Sequence, residues 1–320
     1  MEVSLLNQFF VFAVIGFSVF SVLSGSVSAF TVLDLTDLTR ILMNRVTRLF
    51  MLLTACALPS AFAHADIAAP AKRIIALSPH SVEMLYAIGA GEAIVATTDH
   101  ADFPEAALAI PRIGGYHGVQ VERILELEPD LVVVWGSGNK VEDITRIKAL
   151  GFRVFDSNPD TLDEVADELE SLGELTGHQV LAAKVAADYR QQLKQLRSEN
   201  LAKSGVNVFY QLWSTPLMTV AKDSWIQQII SVCHGDNVFA DAANDYPQVS
   251  LETVVLKQPE VILQSQDEGN ILGVDWSAWP EIPAVKNKHI YQLNADLLHR
   301  AAPRALLGVE ALCDALDKAR

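Results

Sequence analysis

The chain has 320 residues, half of them apolar, with 39 acidic against 24 basic side chains and a formal charge of −15. That length and apolar share suffice for one large core or two modest ones, which rules out a largely disordered chain. Up to Ala65 three acids (Glu2, Asp34, Asp37) cancel three arginines (Arg40, Arg45, Arg48), so the negative charge falls on residues 66–320 and argues against a nucleic-acid partner, which needs a basic face.

Residues 1–65 read as a targeting region. Ser4 to Phe30 is apolar and long enough to span a bilayer, yet has no basic flank. From Met43 the pattern is that of a signal peptide over 43–65: Arg45 and Arg48, then apolar Leu49 to Leu58, then Ala63-His64-Ala65 as an A-x-A cleavage site. A membrane anchor over 1–42, and a lipoprotein box at Leu53-Thr54-Ala55-Cys56, are the alternatives. Cleavage after Ala65 leaves Cys233 and Cys313 as an even pair in an oxidising compartment, to be bridged or else left as two buried thiols.

The body opens on a β-rich run, Arg73 to Leu77. Ser78-Pro79, an N-cap with a first-turn proline, then starts a helix over Ser81 to Ile88. The cycle continues with strand Ala93 to Thr98, helix Val121 to Leu127, strand Leu131 to Trp135, helix Val141 to Leu150 and strand Arg153 to Phe155. Strands alternating with helices imply a parallel sheet covered on both faces, and the unbroken apolarity of Leu131 to Trp135 fits a strand buried on both. From Thr161 to Leu201 turn residues nearly vanish and helix formers dominate, interrupted by Gly177. His178 to Leu201 can form one helix about 36 Å long, enough to join two lobes. A second series follows: Asn207–Leu212, Trp225–Cys233, Leu251–Leu256, Val261–Ser265, His289–Leu293 and Pro303–Leu316. The expected organisation is therefore a first lobe over 66–158, a helical linker over 159–205 and a second lobe over 206–320.

An internal repeat supports two related lobes. Val121 to Val133 aligns without gaps on Leu251 to Leu263, at a constant offset of 130 residues. Each copy is a helix, a proline turn, an acid and a buried strand. Glu122 and Glu252 stand at equivalent helix starts, where a carboxylate also suits the helix dipole.

No G-x-S-x-G, Walker loop, G-x-G-x-x-G or H-E-x-x-H occurs, so no catalytic residue and no metal site is expected. His80, His100, His117 and His299 fall in expected loops at strand carboxyl ends, where α/β proteins bind ligands, but without the close spacing of a zinc site. Trp135, Tyr116, Trp213 and Tyr246 sit at strand ends or just beyond in both halves and suggest an apolar cleft for a large flat ligand.

Particular strings carry a resemblance. Arg73-Ile74-Ile75-Ala76-Leu77-Ser78-Pro79 with Glu83, Asp102-Phe103-Pro104, Pro129-Asp130-Leu131-Val132 and Trp135-Gly136-Ser137-Gly138-Asn139 are similar to the cobalamin-binding branch of the helix-linked (class III) solute-binding proteins of ABC importers. The second half continues it through Val232 to Phe239, Tyr246 to Ser250 and His299 to Arg304, so that it covers about residues 70–318. The resemblance implies two Rossmann-like α/β lobes joined by one long helix, and a monomer in the periplasm. It also implies cobalamin as transported ligand rather than cofactor, and delivery to the permease and ATPase complex of an ABC importer.

By the same resemblance Pro79, His100, Tyr116 and Trp135 form one wall of the site. Leu212, Trp213, Tyr246, Leu297, Leu298, His299, Arg300 and Ala301 form the other. Glu122 and Glu252 dock on the transporter, and Cys233 pairs with Cys313. Haem or a ferric siderophore is the alternative cargo, with Arg112 and Arg300 as candidate cleft arginines. An exported metal-dependent enzyme is the alternative class.

Overall fold

The computed structural model describes residues 69–266 and 274–320. The targeting region, including the signal-peptide and lipoprotein expectations, lies outside the described residues. Among the described residues no helix is long and apolar enough to cross a membrane.

The first half builds a four-stranded parallel sheet from β1 (Ile74–Ala76), β2 (Ile94–Thr97), β3 (Leu131–Val134) and β4 (Val154–Asp156), in the order β2-β1-β3-β4. Helices α1 (Pro79–Ala87), α2 (Val121–Leu127) and α3 (Val141–Ala149) connect them. Every residue of β3 is fully buried, as its apolar run requires. Ser78 caps α1 as anticipated, its side chain accepting from the Ser81 amide, with Pro79 in the first turn.

The second half repeats the order with β5 (Val206–Gln211), β6 (Gly235–Asn237), β7 (Val261–Gln266) and β8 (Ile290–Asn294), arranged β6-β5-β7-β8 and again parallel. The repeat extends to single residues. Helix α2 ends at Glu128 and the helix over Leu251–Lys257 ends at Gln258, both left-handed at φ 46° and 49°. Asp130 accepts the amides of Lys72 and Arg73, and Glu260 accepts that of Asn207, so each acid pins the start of its neighbouring strand. Strand β6 was not anticipated. Gly-Asp-Asn has no strand propensity, and it pairs because the parallel edge of β5 is free to accept it.

The connection is a helical hairpin. Helix α4 (Glu164–Thr176) precedes the long helix α5 (Gln179–Asn200), and Arg190 pairs with Asp167 and Glu170 while Arg197 pairs with Asp163, which sets the two antiparallel. Gly177 makes the reversal at φ 78°, and a Cβ there would lie 3.0 Å from Pro70. Helix α5 packs on the second half through α6 (Trp225–Val232) and, beyond α7 (Leu251–Lys257), α8 (Pro283–Lys286) and α9 (Ala295–His299), through α10 (Ala305–Asp317). One apolar cluster runs from Ile74 and Leu131 through Leu169, Tyr189 and Leu193 to Val208 and Leu312. The sulfurs of Cys233, after α6, and Cys313, in α10, are bonded.

Candidate functional site

Parallel α/β sheets bind ligands at strand carboxyl ends, and the residues just past β3, β4, β5 and β8 line a cleft of about 510 Å³ here. One side carries His80, Trp135, Ser137, Asn158, Pro159 and Asp160. The other carries Leu212, Asp223, Trp225, Ile226, Asp245, Tyr246, His299 and Ala301. Its walls are therefore aromatic and aliphatic, with polar groups spread along the rim, an arrangement that takes a large ligand of mixed polarity.

The floor is tightly built. His80 is buried in α1 rather than in a loop; its Nε2 donates to the Ser157 carbonyl at 3.1 Å, and its ring meets Trp135 edge-on at 5.3 Å. Burial pushes the His80 imidazole down to about 4, more than the Ser157 hydrogen bond raises it, with the Arg300 charge adding to the fall. Ser157 Oγ donates to Glu168 Oε2 at 2.6 Å, and the Asn158 amide donates to Oε1 at 2.7 Å. Burial pushes Glu168 up to about 7 against those two hydrogen bonds, with Asp156 and Glu164 adding to the rise. Asn158 Oδ1 in turn accepts from the Ser137 amide and hydroxyl. Across the cleft Trp225 Nε1 donates to the Leu298 carbonyl at 2.7 Å, and Tyr210 Oη lies 2.8 Å from His299 Nε2.

Trp135, Leu212, Tyr246, His299 and Ala301 are the sequence-anticipated residues that line this cleft. Pro79 is half-buried at the first turn of α1, beside His80. His100 is exposed with a left-handed backbone. Tyr116, 76% exposed and stacked on His117, and Trp213, 56% exposed, sit on separate two-stranded hairpins. Leu298 is core, and the Leu297 carbonyl abuts Gly308.

Both candidate arginines are committed elsewhere. Arg112 donates to the carbonyls of Ala107, Ile110 and Ala101. Arg300 is buried in an ion-pair network that joins the two halves: it meets Glu83 at 3.0 Å, Asp102 at 2.6 Å and Asp296 at 2.6 Å, while Arg304 meets Glu83 at 2.6 Å. Burial opposes ionisation of Asp102, but the hydrogen bond and charge of Arg300 hold it below the usual carboxylate range.

Sequence reasoning missed Ser137, Asn158, Pro159, Asp160, Asp223, Trp225, Ile226 and Asp245 as site residues. Trp225 carried the signal that found Trp135, an aromatic at an element boundary, behind the Ser224 cap. Ile226 follows Trp225 in α6, Ser137 lies in the Trp135 to Asn139 string, and the others come from loops with no motif.

Two like-ordered parallel sheets, a helical hairpin joining them and a cleft at their carboxyl ends define a helix-linked, two-lobed solute-binding protein. The periplasmic binding protein family matches residues 74–297, and the chain belongs to that family. It is 40% identical over 252 residues to the vitamin B12-binding protein of Vibrio cholerae, covering 78% of this chain and 91% of that one. It is 39% identical over 250 residues to that of Vibrio vulnificus, covering 77% and 90%. The crystal structure of periplasmic vitamin B12 binding protein BtuF of Vibrio cholerae superposes with a TM-score of 0.73 at 40% identity, covering 78% of this chain and 98% of that one. The periplasmic heme binding protein HutB of Vibrio cholerae shares the fold, at a TM-score of 0.66 and 20% identity, covering 76% and 98%.

Proposed function

We propose that the protein captures cobalamin in the periplasm and delivers it to the permease and ATPase of an ABC importer, with residues 66–158 and 206–320 as its lobes and 159–205 as linker. The observation that carries the reading is the cleft, walled by Trp135, Trp225, Tyr246 and Leu212, in a chain that matches vitamin B12-binding proteins over nearly their whole length. A corrin is broad, apolar across its faces and rimmed by neutral amides, so aromatic walls with dispersed polar groups suit it. Trp135 and Tyr246 hold the faces, while Ser137, Asn158 and His299 meet the amides. Pro79, His100, Tyr116, Trp213, Leu297, Leu298, Arg300 and Ala301 support or border this site. Glu122 and Glu252, both exposed at the starts of α2 and α7, dock on the importer.

Calorimetric titration of the protein lacking residues 1–65 with cyanocobalamin, haemin and a ferric siderophore tests this. Cyanocobalamin binds most tightly, and Trp135→Ala weakens it by about 1–3 kcal/mol through lost packing area. Tighter haemin binding, or no cyanocobalamin binding, overturns the reading.

A further inference from the structure

We infer that the cleft selects its ligand by charge, favouring corrinoids whose side chains are all amides and rejecting those that carry a free carboxylate. This rests on the corrinoid reading above and concerns Asp160, Asp223 and Asp245, to which that reading gives no part.

The three aspartates enter the cleft from both sides, Asp160 from the loop after β4, Asp223 from the turn before α6 and Asp245 from the loop before α7. Among the described residues that line it there is no lysine or arginine. His80, held neutral by burial with its value near 4, supplies no compensating charge at neutral pH. Arg300, between the lining residues His299 and Ala301, is bound by Glu83, Asp102 and Asp296, and Arg304, three residues beyond Ala301, is bound by Glu83. Lys222 Nζ lies 4.0 Å from Asp223 and offsets that carboxylate in part, which leaves Asp160 and Asp245 to set the field. That field reaches the aromatic wall: the Tyr246 hydroxyl is raised first by burial, then by Asp245 and also by Asp160.

Two physical consequences act together. An ionised aspartate only accepts hydrogen bonds, so it pairs with a ligand amide N–H and has nothing to offer a ligand carboxylate. A ligand carboxylate also meets like charges across a cleft partly screened from solvent, where repulsion exceeds its value in water. Flat dianions such as haem are rejected on the same ground.

The test compares cyanocobalamin with its monocarboxylates, in which one peripheral amide is hydrolysed and the axial ligands are unchanged. The readout is the ratio of the two dissociation constants within each protein. In the wild type at low ionic strength the monocarboxylates bind about tenfold or more weakly, as two carboxylates at cleft distances imply. In D160N/D245N the ratio falls to within about threefold, because an amide neither repels nor lacks a donor. Raising salt to about 0.5 M lowers the ratio in the wild type itself, so the test survives a variant that folds poorly. A wild-type ratio near one, or a ratio that neither salt nor the double substitution reduces, overturns the charge filter while leaving cobalamin as ligand. Failure of cyanocobalamin itself to bind removes the corrinoid reading and this inference with it.

Discussion

His80 and Glu168 share Ser157, one through its carbonyl and the other through its hydroxyl, and burial pushes them in opposite directions. His80 falls from 6.5 to about 4, so the unfolded chain binds the extra proton and stability is lost as pH falls between those values. Glu168 rises from 4.5 to about 7, so the folded state binds the extra proton and stability is lost as pH rises between those values. Each effect amounts to about 3 kcal/mol at most, and over their common window, between about 4.5 and 6.5, they oppose one another. Wild-type stability is therefore nearly flat there. Glu168→Gln removes one side of the balance, and urea denaturation across that window then shows stability falling steadily towards acid; a variant as flat as the wild type refutes the assignment. None of this was legible in the sequence. His80 read as a loop histidine because the helix was expected to begin only at Ser81, whereas it sits inside the first turn of α1. Its neutrality comes from burial, and the carbonyl that its ring meets belongs to Ser157, 77 residues away in the chain.

At the scale of elements the sequence was more informative, because most elements are local. Ser78-Pro79 and Gly177 marked a helix start and a helix stop through backbone chemistry that needs no tertiary contact. The 130-residue offset announced two like sheets, and the matched left-handed caps at Glu128 and Gln258 show how literally it is kept. Strand β6 and the short helix α9 stayed hidden, since both are held by neighbours distant in sequence rather than by their own composition. The bridge between Cys233 and Cys313 joins α6 to α10 across a separation of 80 residues. In the chain-entropy picture a loop that long stabilises by about 4 kcal/mol as an upper value. Replacing both cysteines with serine lowers the thermal midpoint without altering the cleft, which calorimetry of unfolding and of cyanocobalamin binding checks on one sample. An unchanged midpoint contradicts it.

For the whole molecule, the two-lobed arrangement followed from the repeat, but the cleft between the lobes did not, since loop residues with no pattern build most of it. Glu122 and Glu252, equivalent in the repeat, are both exposed and both lie below the usual carboxylate range, each through its own backbone amide first. If they meet cationic groups on the importer, reversing both to arginine places like charges together and costs several kcal/mol of docking. Pull-down of the importer is then lost while cyanocobalamin affinity stays near that of the wild type; retained docking, or lost ligand binding, rejects the role.

The neighbours of these two acids differ. Arg146 Nη2 stands 3.1 Å from the Glu122 carboxylate, whereas Glu252 is held by the hydroxyl of its own cap, Ser250. A half-turn that exchanges the lobes therefore exchanges a partly neutralised end for a fully charged one. If the two acids dock as proposed, on an importer that is the same under that half-turn, the two ways of landing differ by one arginine on one lobe, and the pair takes a preferred heading.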